Sequence, residues 1–122
     1  MRRMLRIVTA TLGATVSTVS LMLMPTAAVA APACTHPSHN VNSAGYGYVI
    51  GDALARRSGP STSCGIYGYA SHNAKIYYHC YVYGEEINRD PYWVWGRIAD
   101  TQQEGWFSME FLTGRDTFPS HC

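Results

Sequence analysis

Four cysteines in a short chain constrain this sequence more than any other feature. They are Cys34, Cys64, Cys80 and Cys122, in a chain of 122 residues. An even number of cysteines in a small exported chain predicts disulfides, which supplement a core too small to stabilise the fold alone. Three pairings are possible. We favour Cys64–Cys80, which would cross-link neighbouring strands, together with Cys34–Cys122, which would join the two ends of the exported chain.

The N-terminal segment is typical of a cleaved export signal. Arg2, Arg3 and Arg6 provide a positive start, residues 7–24 are apolar and uncharged, and Ala28-Val29-Ala30 offers a small-x-small cleavage site. An uncleaved membrane anchor is the alternative, but a spanning helix is usually more uniformly apolar than this Thr-, Ser- and Gly-containing run. We therefore expect a signal peptide over residues 1–30, a secreted or cell-wall-associated protein, and no membrane insertion after cleavage.

Removal of the leader also changes the charge balance. The chain has nine basic and eight acidic residues. Three of the basic residues leave with the signal, so six remain against eight acids. A domain that binds DNA or RNA through phosphates needs an excess of Lys and Arg. The composition therefore argues against a nucleic-acid partner, and we expect a monomer that needs no cofactor.

The exported part divides into an irregular arm over residues 31–45 and one all-β domain over residues 46–122. The arm is rich in Pro, Ser and Asn, whereas KIYYHCYVYG (Lys75–Gly84) and YWVWGRIA (from Tyr92) are aromatic and β-branched. The segment from Glu85 to Pro91 is interpreted as a polar loop, and MEFL as one short helical turn. Short antiparallel strands at this spacing predict a small barrel or sandwich.

Alternation along the strands predicts which side chains are buried. Trp93 and Trp95 should share one face of their strand and Val94 the other, while of Trp106 and Phe107 one should be buried and one outward. In the Lys75–Gly84 strand, one set should face the core and the other should be outward or half-exposed. The inward set is Ile76, Tyr78, Cys80 and Val82; the outward set is Tyr77, His79, Tyr81 and Tyr83. An outward row of Tyr suits ligand recognition, and it equally suits sheet propensity and cross-strand pairing.

Two separated motifs carry a family likeness. LARRSGPSTS (Leu54–Ser63) and the closing Gly105-Trp106-Phe107-Ser108 with Leu112 resemble the opening and closing motifs of bacterial SH3-like (SH3b) domains. The cysteines add a likeness to small secreted actinobacterial SH3b proteins with a disulfide in the domain. The family usually has an apolar residue where this chain has Arg56, so that side chain should either lie past the strand end or pack its stem with its head in solvent.

The resemblance implies a fold and a function. The fold is a small SH3-like open barrel of short antiparallel strands, and the function is non-catalytic recognition of peptidoglycan peptides or other cell-envelope material. The ligand-binding residues that it suggests are Arg57, Ser58, Tyr67, Tyr69, Tyr92 and Trp93. A secreted inhibitor or effector that binds an enzyme or a host protein is the alternative.

Catalytic and metal-binding interpretations are weaker. Cys64 with His72 or His79 could form a nucleophile and base, but a disulfide would remove the thiolate that such chemistry requires. Cys34 and His36, with His39, form a C-x-H-x-x-H pattern that is not a usual zinc spacing. Adjacent carboxylates such as Glu85 and Glu86 do not resemble the facing pair of a glycosidase. We therefore expect neither an enzyme nor a metal site.

Overall fold

The computed structural model describes residues 10–24, 33–38 and 43–122. The predicted positive start of the leader, the Ala28-Val29-Ala30 cleavage site and His39 lie outside these ranges. Residues 10–24 form no regular secondary structure and are exposed. Across the described ranges, no helix combines the length and the apolar character needed to cross a membrane.

The described residues form one six-stranded antiparallel sheet that curls into a half-barrel. Its strands are β1 (Tyr46–Tyr48), β2 (Ala53–Arg57), β3 (Ile66–Ser71), β4 (Lys75–Ile87), β5 (Asp90–Ile98) and β6 (Glu104–Ser108). Their spatial order is β1-β4-β5-β6-β2-β3, so β3 and β4 follow each other in sequence without being neighbours in the sheet. The predicted all-β, disulfide-stabilised fold is confirmed. The expected helical turn is the 3-10 turn Met109–Phe111, and a second 3-10 turn, Arg115–Thr117, was not predicted.

A two-residue turn joins the two longest strands. Asn88 and Arg89 have φ values of 48° and 68°, both left-handed, and turns of this handedness match the twist of a β-hairpin. The prediction of a polar loop from Glu85 to Pro91 is therefore wrong. Because the turn needs only two residues, Glu85 and its neighbours belong to β4, and Ile87 pairs with Asp90 next to the turn.

A β-bulge at His79 changes the faces of β4. Tyr78 pairs with Gly96 and Cys80 with Trp95, so His79 is an extra residue on this strand. The alternation of side chains is shifted by one residue beyond such a bulge. Tyr77 and Tyr81 are half-buried and Tyr83 is exposed, as expected. The predicted row is wrong in two respects, because His79 is buried and the four side chains do not share one face. Beyond the bulge, Tyr81 and Tyr83 lie on the side that Tyr78 occupied before it.

Each face of the sheet carries a buried cluster. The larger consists of Val49, Leu54, Ala70, Ile76, Tyr78, Val94, Phe107, Met109 and Leu112. The smaller consists of Cys80, Trp93, Trp95 and Trp106. The predicted separation of Trp93 and Trp95 from Val94 is confirmed. The expectation that either Trp106 or Phe107 faces outward is wrong, because the N-terminal arm covers the second face, and the Trp106 indole Nε1–H donates to the Thr35 carbonyl at 2.7 Å.

Two disulfides attach the ends of the chain to the sheet. Cys34 bonds to Cys64 and Cys80 bonds to Cys122, so the four cysteines are all oxidised. The favoured pairing of Cys64 with Cys80 and of Cys34 with Cys122 is wrong. It assumed that consecutive strands are neighbours, whereas β3 lies at the sheet edge away from β4. Structural disulfides of this kind are typical of a non-reducing, extracytoplasmic environment.

Candidate functional site

An apolar cavity of about 290 Å³ opens beside β2 and β6, and we call it the Tyr69 groove. Tyr69 and Phe111 are exposed at its walls, Trp93 and Ser108 are buried in it, and Arg57 supplies a charged group. Small side chains of β2, those of Ala53 and Ala55, leave the floor open. A cavity with apolar walls and few polar groups is the usual form of a ligand site.

Three of the six sequence-predicted ligand residues meet in this groove, namely Arg57, Tyr69 and Trp93. Tyr69 is 61% exposed, while Trp93 is 2% exposed and its indole N–H donates to the Glu85 carbonyl at 2.8 Å. The indole therefore offers a ligand apolar contact and no free donor. Tyr69 offers both an exposed ring and a hydroxyl.

Arg57 and Ser58 also hold the loop that leads to β3. The Arg57 Nη1 group donates to the carbonyls of Thr62 and Cys64, both at 3.1 Å. The Ser58 backbone N–H donates to the Gly65 carbonyl at 2.8 Å, and Ser58 is not among the residues that line the groove. The Arg57 guanidinium therefore has a fixed position at the groove, whereas Ser58 supports the loop.

Glu85 of β4 holds the same loop, between β2 and β3, by hydrogen bonds to Thr62. Its carboxylate accepts hydrogen bonds from the Thr62 hydroxyl at 2.8 Å and from the Thr62 backbone N–H. These bonds, the side-chain one first, lower the pKa of Glu85 below its ordinary value, and a smaller contribution comes from Arg57. The carboxylate is therefore ionised at neutral pH and positions Thr62 at the groove wall. This role was not predicted, because the sequence suggested a solvated loop.

Tyr92 and Tyr67 lie elsewhere. Tyr92 is next to Trp93 on a regular strand, so the two side chains face opposite sides of the sheet. Tyr92 packs against Tyr81 and Tyr83, with ring centroids 5.5 and 5.1 Å apart. Tyr67 sits at the irregularity between β2 and β3 and lines a separate cavity together with Trp95. The predicted six-residue site is therefore split over four places, since Ser58 lies in the loop outside the groove.

Two arrangements were expected for Arg56, and the structure agrees in part with the second, in which the stem packs and the head reaches solvent. It lies within β2, and its stem packs over Gly105, where a Cβ atom would overlap it. Its Nη1 group donates to the Glu104 carbonyl at 2.7 Å, and its guanidinium lies 5.5 Å from the Tyr67 ring centroid. The head is therefore held through Nη1 and the Tyr67 ring, while the buried Nε atom has no hydrogen-bond partner among the described residues.

The cysteine and histidine patterns do not assemble a reactive centre in the described residues. Cys64 and Cys34 are joined to each other, so neither has a thiolate to offer as a nucleophile or a metal ligand. The His72 Nδ1 atom lies 2.9 Å from the Gly51 carbonyl, in an exposed turn. Within the described part of the chain, no three His, Cys, Asp or Glu side chains are grouped as a metal site would require.

Comparison of the chain with protein-family models, with curated proteins and with solved structures found no match in any of the three. The likeness to SH3b domains therefore depends on the two sequence motifs.

Seven of the ten residues that line the groove were not predicted as site residues, among them Thr62, Ser108 and Phe111. A signal for Ser108 was available, because a short hairpin between β5 and β6 sets it opposite Trp93. No comparable signal was available for Phe111, since a 3-10 turn places it at the groove wall. Thr62 depends on a contact with a distant strand.

Proposed function

We propose that the protein is an exported, non-catalytic binding module of the SH3b type that recognises a peptide of peptidoglycan or of other cell-envelope material. The observation that carries the proposal is the Tyr69 groove, in which an exposed aromatic ring, a buried indole and an arginine surround an open floor. Extended peptides with small side chains suit such a site. Their methyl groups contact the aromatic walls, and their carbonyls accept hydrogen bonds from Tyr or Arg.

The two motifs of the family likeness support the same proposal. They are far apart in the sequence, but β2 pairs with β6 so that Arg57 lies opposite Trp106. The loop Ser58–Ser63 and the strand Glu104–Ser108 consequently border one region of the sheet, beside the groove. The leader sequence and the disulfides support a location outside the cytoplasm, where wall material is accessible.

Sedimentation with purified wall sacculi tests the proposal. The oxidised protein should co-sediment, and Tyr69→Ala should weaken binding by about tenfold or more, as expected for an exposed aromatic anchor. Tyr83→Ala is the matched control, because Tyr83 is 59% exposed against 61% for Tyr69 and lies outside the groove. A protein that stays in the supernatant at every salt concentration and pH contradicts the proposal. Equal losses for the two variants contradict the assignment to the groove.

The edge strand β3 favours a second candidate function, binding of a protein partner as an inhibitor or effector. β3 is at one end of the sheet order, and its Ile66, Tyr67 and Tyr69 side chains are exposed. An open edge of this kind can pair with an extended segment of another protein. Crosslinking in spent culture medium followed by pull-down would identify such a partner. A Ser71→Pro variant, which removes an N–H from the open edge of β3 and not from its ladder with β2, should then lose it.

A further inference from the structure

A second cavity, of about 440 Å³, lies outside the Tyr69 groove and shares no residue with it. Its lining includes Tyr77, His79, Arg97 and Glu104, together with Ser43 and Gln102. The polar character of these side chains contrasts with the apolar groove. The volume lies within the range of about 300–1,000 Å³ that is usual for small-ligand sites.

The cavity holds one cation and one anion that do not neutralise each other directly. Arg97 and Glu104 are paired across β5 and β6, so their side chains project from the same face of the sheet. Even so, no Arg97 nitrogen lies within ion-pair distance of a Glu104 carboxylate oxygen; among the described residues the ion pair that forms is Arg115–Asp90. Two opposite charges are thus kept apart at the wall of one cavity.

Other contacts fix the position of the arginine. The Arg97 Nη1 group donates to the Thr101 carbonyl at 2.9 Å, and the guanidinium carbon lies 5.1 Å from the Tyr77 ring centroid. These contacts leave the Nε and Nη2 groups without a hydrogen bond in the described part of the chain. The half-buried Glu104 carboxylate likewise accepts no hydrogen bond there. Arg97 is therefore held in place with donors to spare, and the Glu104 carboxylate keeps its acceptor capacity for a ligand.

We propose that this cavity binds a small zwitterion, namely a free amino acid or a short peptide with both termini unblocked. The ligand carboxylate would accept hydrogen bonds from Arg97, and the ligand ammonium would donate to Glu104. A simple anion would be repelled by Glu104 and a simple cation by Arg97, so only a ligand with both charges is stabilised by both residues. The proposal goes beyond wall recognition by the Tyr69 groove and does not depend on it.

Titration of the oxidised protein with alanyl-alanine, followed by NMR and calorimetry, tests the proposal. The free dipeptide should bind and shift the signals of Tyr77, Arg97 and Glu104. Its N-acetylated form and its C-terminal amide should each bind at least about tenfold more weakly, because each lacks one of the charge-assisted hydrogen bonds. Equal affinity of the free and the blocked dipeptides, or no binding of the free dipeptide, overturns the proposal.

Charge-removing variants assign each end of the ligand. Glu104→Gln should weaken binding of the free dipeptide about tenfold and abolish the penalty for N-acetylation, while the penalty for amidation remains. In Arg97→Gln, amidation should no longer weaken binding, whereas N-acetylation still should. In Arg97→Lys, which keeps the positive charge, amidation should again weaken binding in part. Tyr69→Ala is the control and should bind the dipeptide normally, whatever its effect on sacculi. The assignment is refuted if N-acetylation still weakens binding to Glu104→Gln, or if amidation still weakens binding to Arg97→Gln.

Discussion

Loss of the disulfide between Cys80 and Cys122 should cost the protein a large part of its stability. The two residues are 42 positions apart in the sequence. In the chain-entropy model, releasing a loop of this length stabilises the unfolded state by about 4 kcal/mol. A small domain has a total free energy of unfolding of about 5–15 kcal/mol. The double variant Cys80→Ala/Cys122→Ala should therefore be marginally folded at room temperature.

The loss can be measured by urea unfolding of the double variant and of the wild-type protein, with the free energies extrapolated to water. Cys34→Ala/Cys64→Ala provides a matched comparison, because these two cysteines are 30 positions apart. For a loop of that length the chain-entropy model again gives a loss of about 4 kcal/mol in the free energy of unfolding. The two loops do not overlap in the sequence. Their contributions should therefore be close to additive when both disulfides are removed.

The connectivity itself can be established by tryptic digestion without reduction. Each cysteine falls on a different tryptic peptide, since Arg57, Lys75, Arg89 and Arg115 separate them in the sequence. The peptide 58–75 should be linked to the N-terminal peptide, and 76–89 to 116–122. A link between 58–75 and 76–89, or free thiols in the Cys80→Ala/Cys122→Ala variant, would refute the reasoning. So would a stability loss below about 1 kcal/mol.

Three further perturbations have expected outcomes. Burial lowers the pKa of His79, Glu104 opposes this effect, and Arg97 adds a smaller lowering. Because the unfolded chain binds a proton more readily than the folded one, the free energy of unfolding should fall as the pH drops below about 6.5. Urea unfolding at several pH values should show a smaller fall for His79→Gln than for the wild-type protein. Gly84→Ala should destabilise the fold by about 1–3 kcal/mol in thermal unfolding, because its Cβ would overlap the Pro60 carbonyl oxygen. Arg115→Ala should cost about 1–3 kcal/mol by leaving the buried Asp90 carboxylate without its cation, and Asp90→Asn in the same background should recover part of the loss.

Regular strands were predicted well because alternation alone decides their faces. β5 contains no bulge, and the sequence correctly separated Trp93 and Trp95 from Val94. The same rule also shows that Tyr92 and Trp93 cannot line one groove, although the family likeness suggested both. Strand alternation alone would therefore have removed one of these two residues from the binding site that the resemblance suggested.

Features that depend on distant contacts were not predictable. The bulge at His79 has no signature in KIYYHCYVYG, since an aromatic, β-branched run is compatible with either alternation. The burial of Trp106 depends on the arm, which the Cys34–Cys64 disulfide fastens to the sheet. Sequence gives no direct information on which cysteines pair. The pairing of Arg97 with Glu104 was not predicted, although a short hairpin between the two predicted strands would have placed these residues opposite each other.

The bulge at His79 also determines where the length of this strand can vary in evolution or in engineering. His79 is the extra residue, since Tyr78 pairs with Gly96 and Cys80 with Trp95. Deleting His79 would close the bulge and keep both pairs, so Cys80 would stay on the face on which it meets Cys122. Deleting Tyr81 instead would turn the residues beyond it over relative to Cys80. A deletion at His79 should consequently be less damaging than a deletion at Tyr81, which makes the place of a length change in β4 a constraint separate from the identity of its residues.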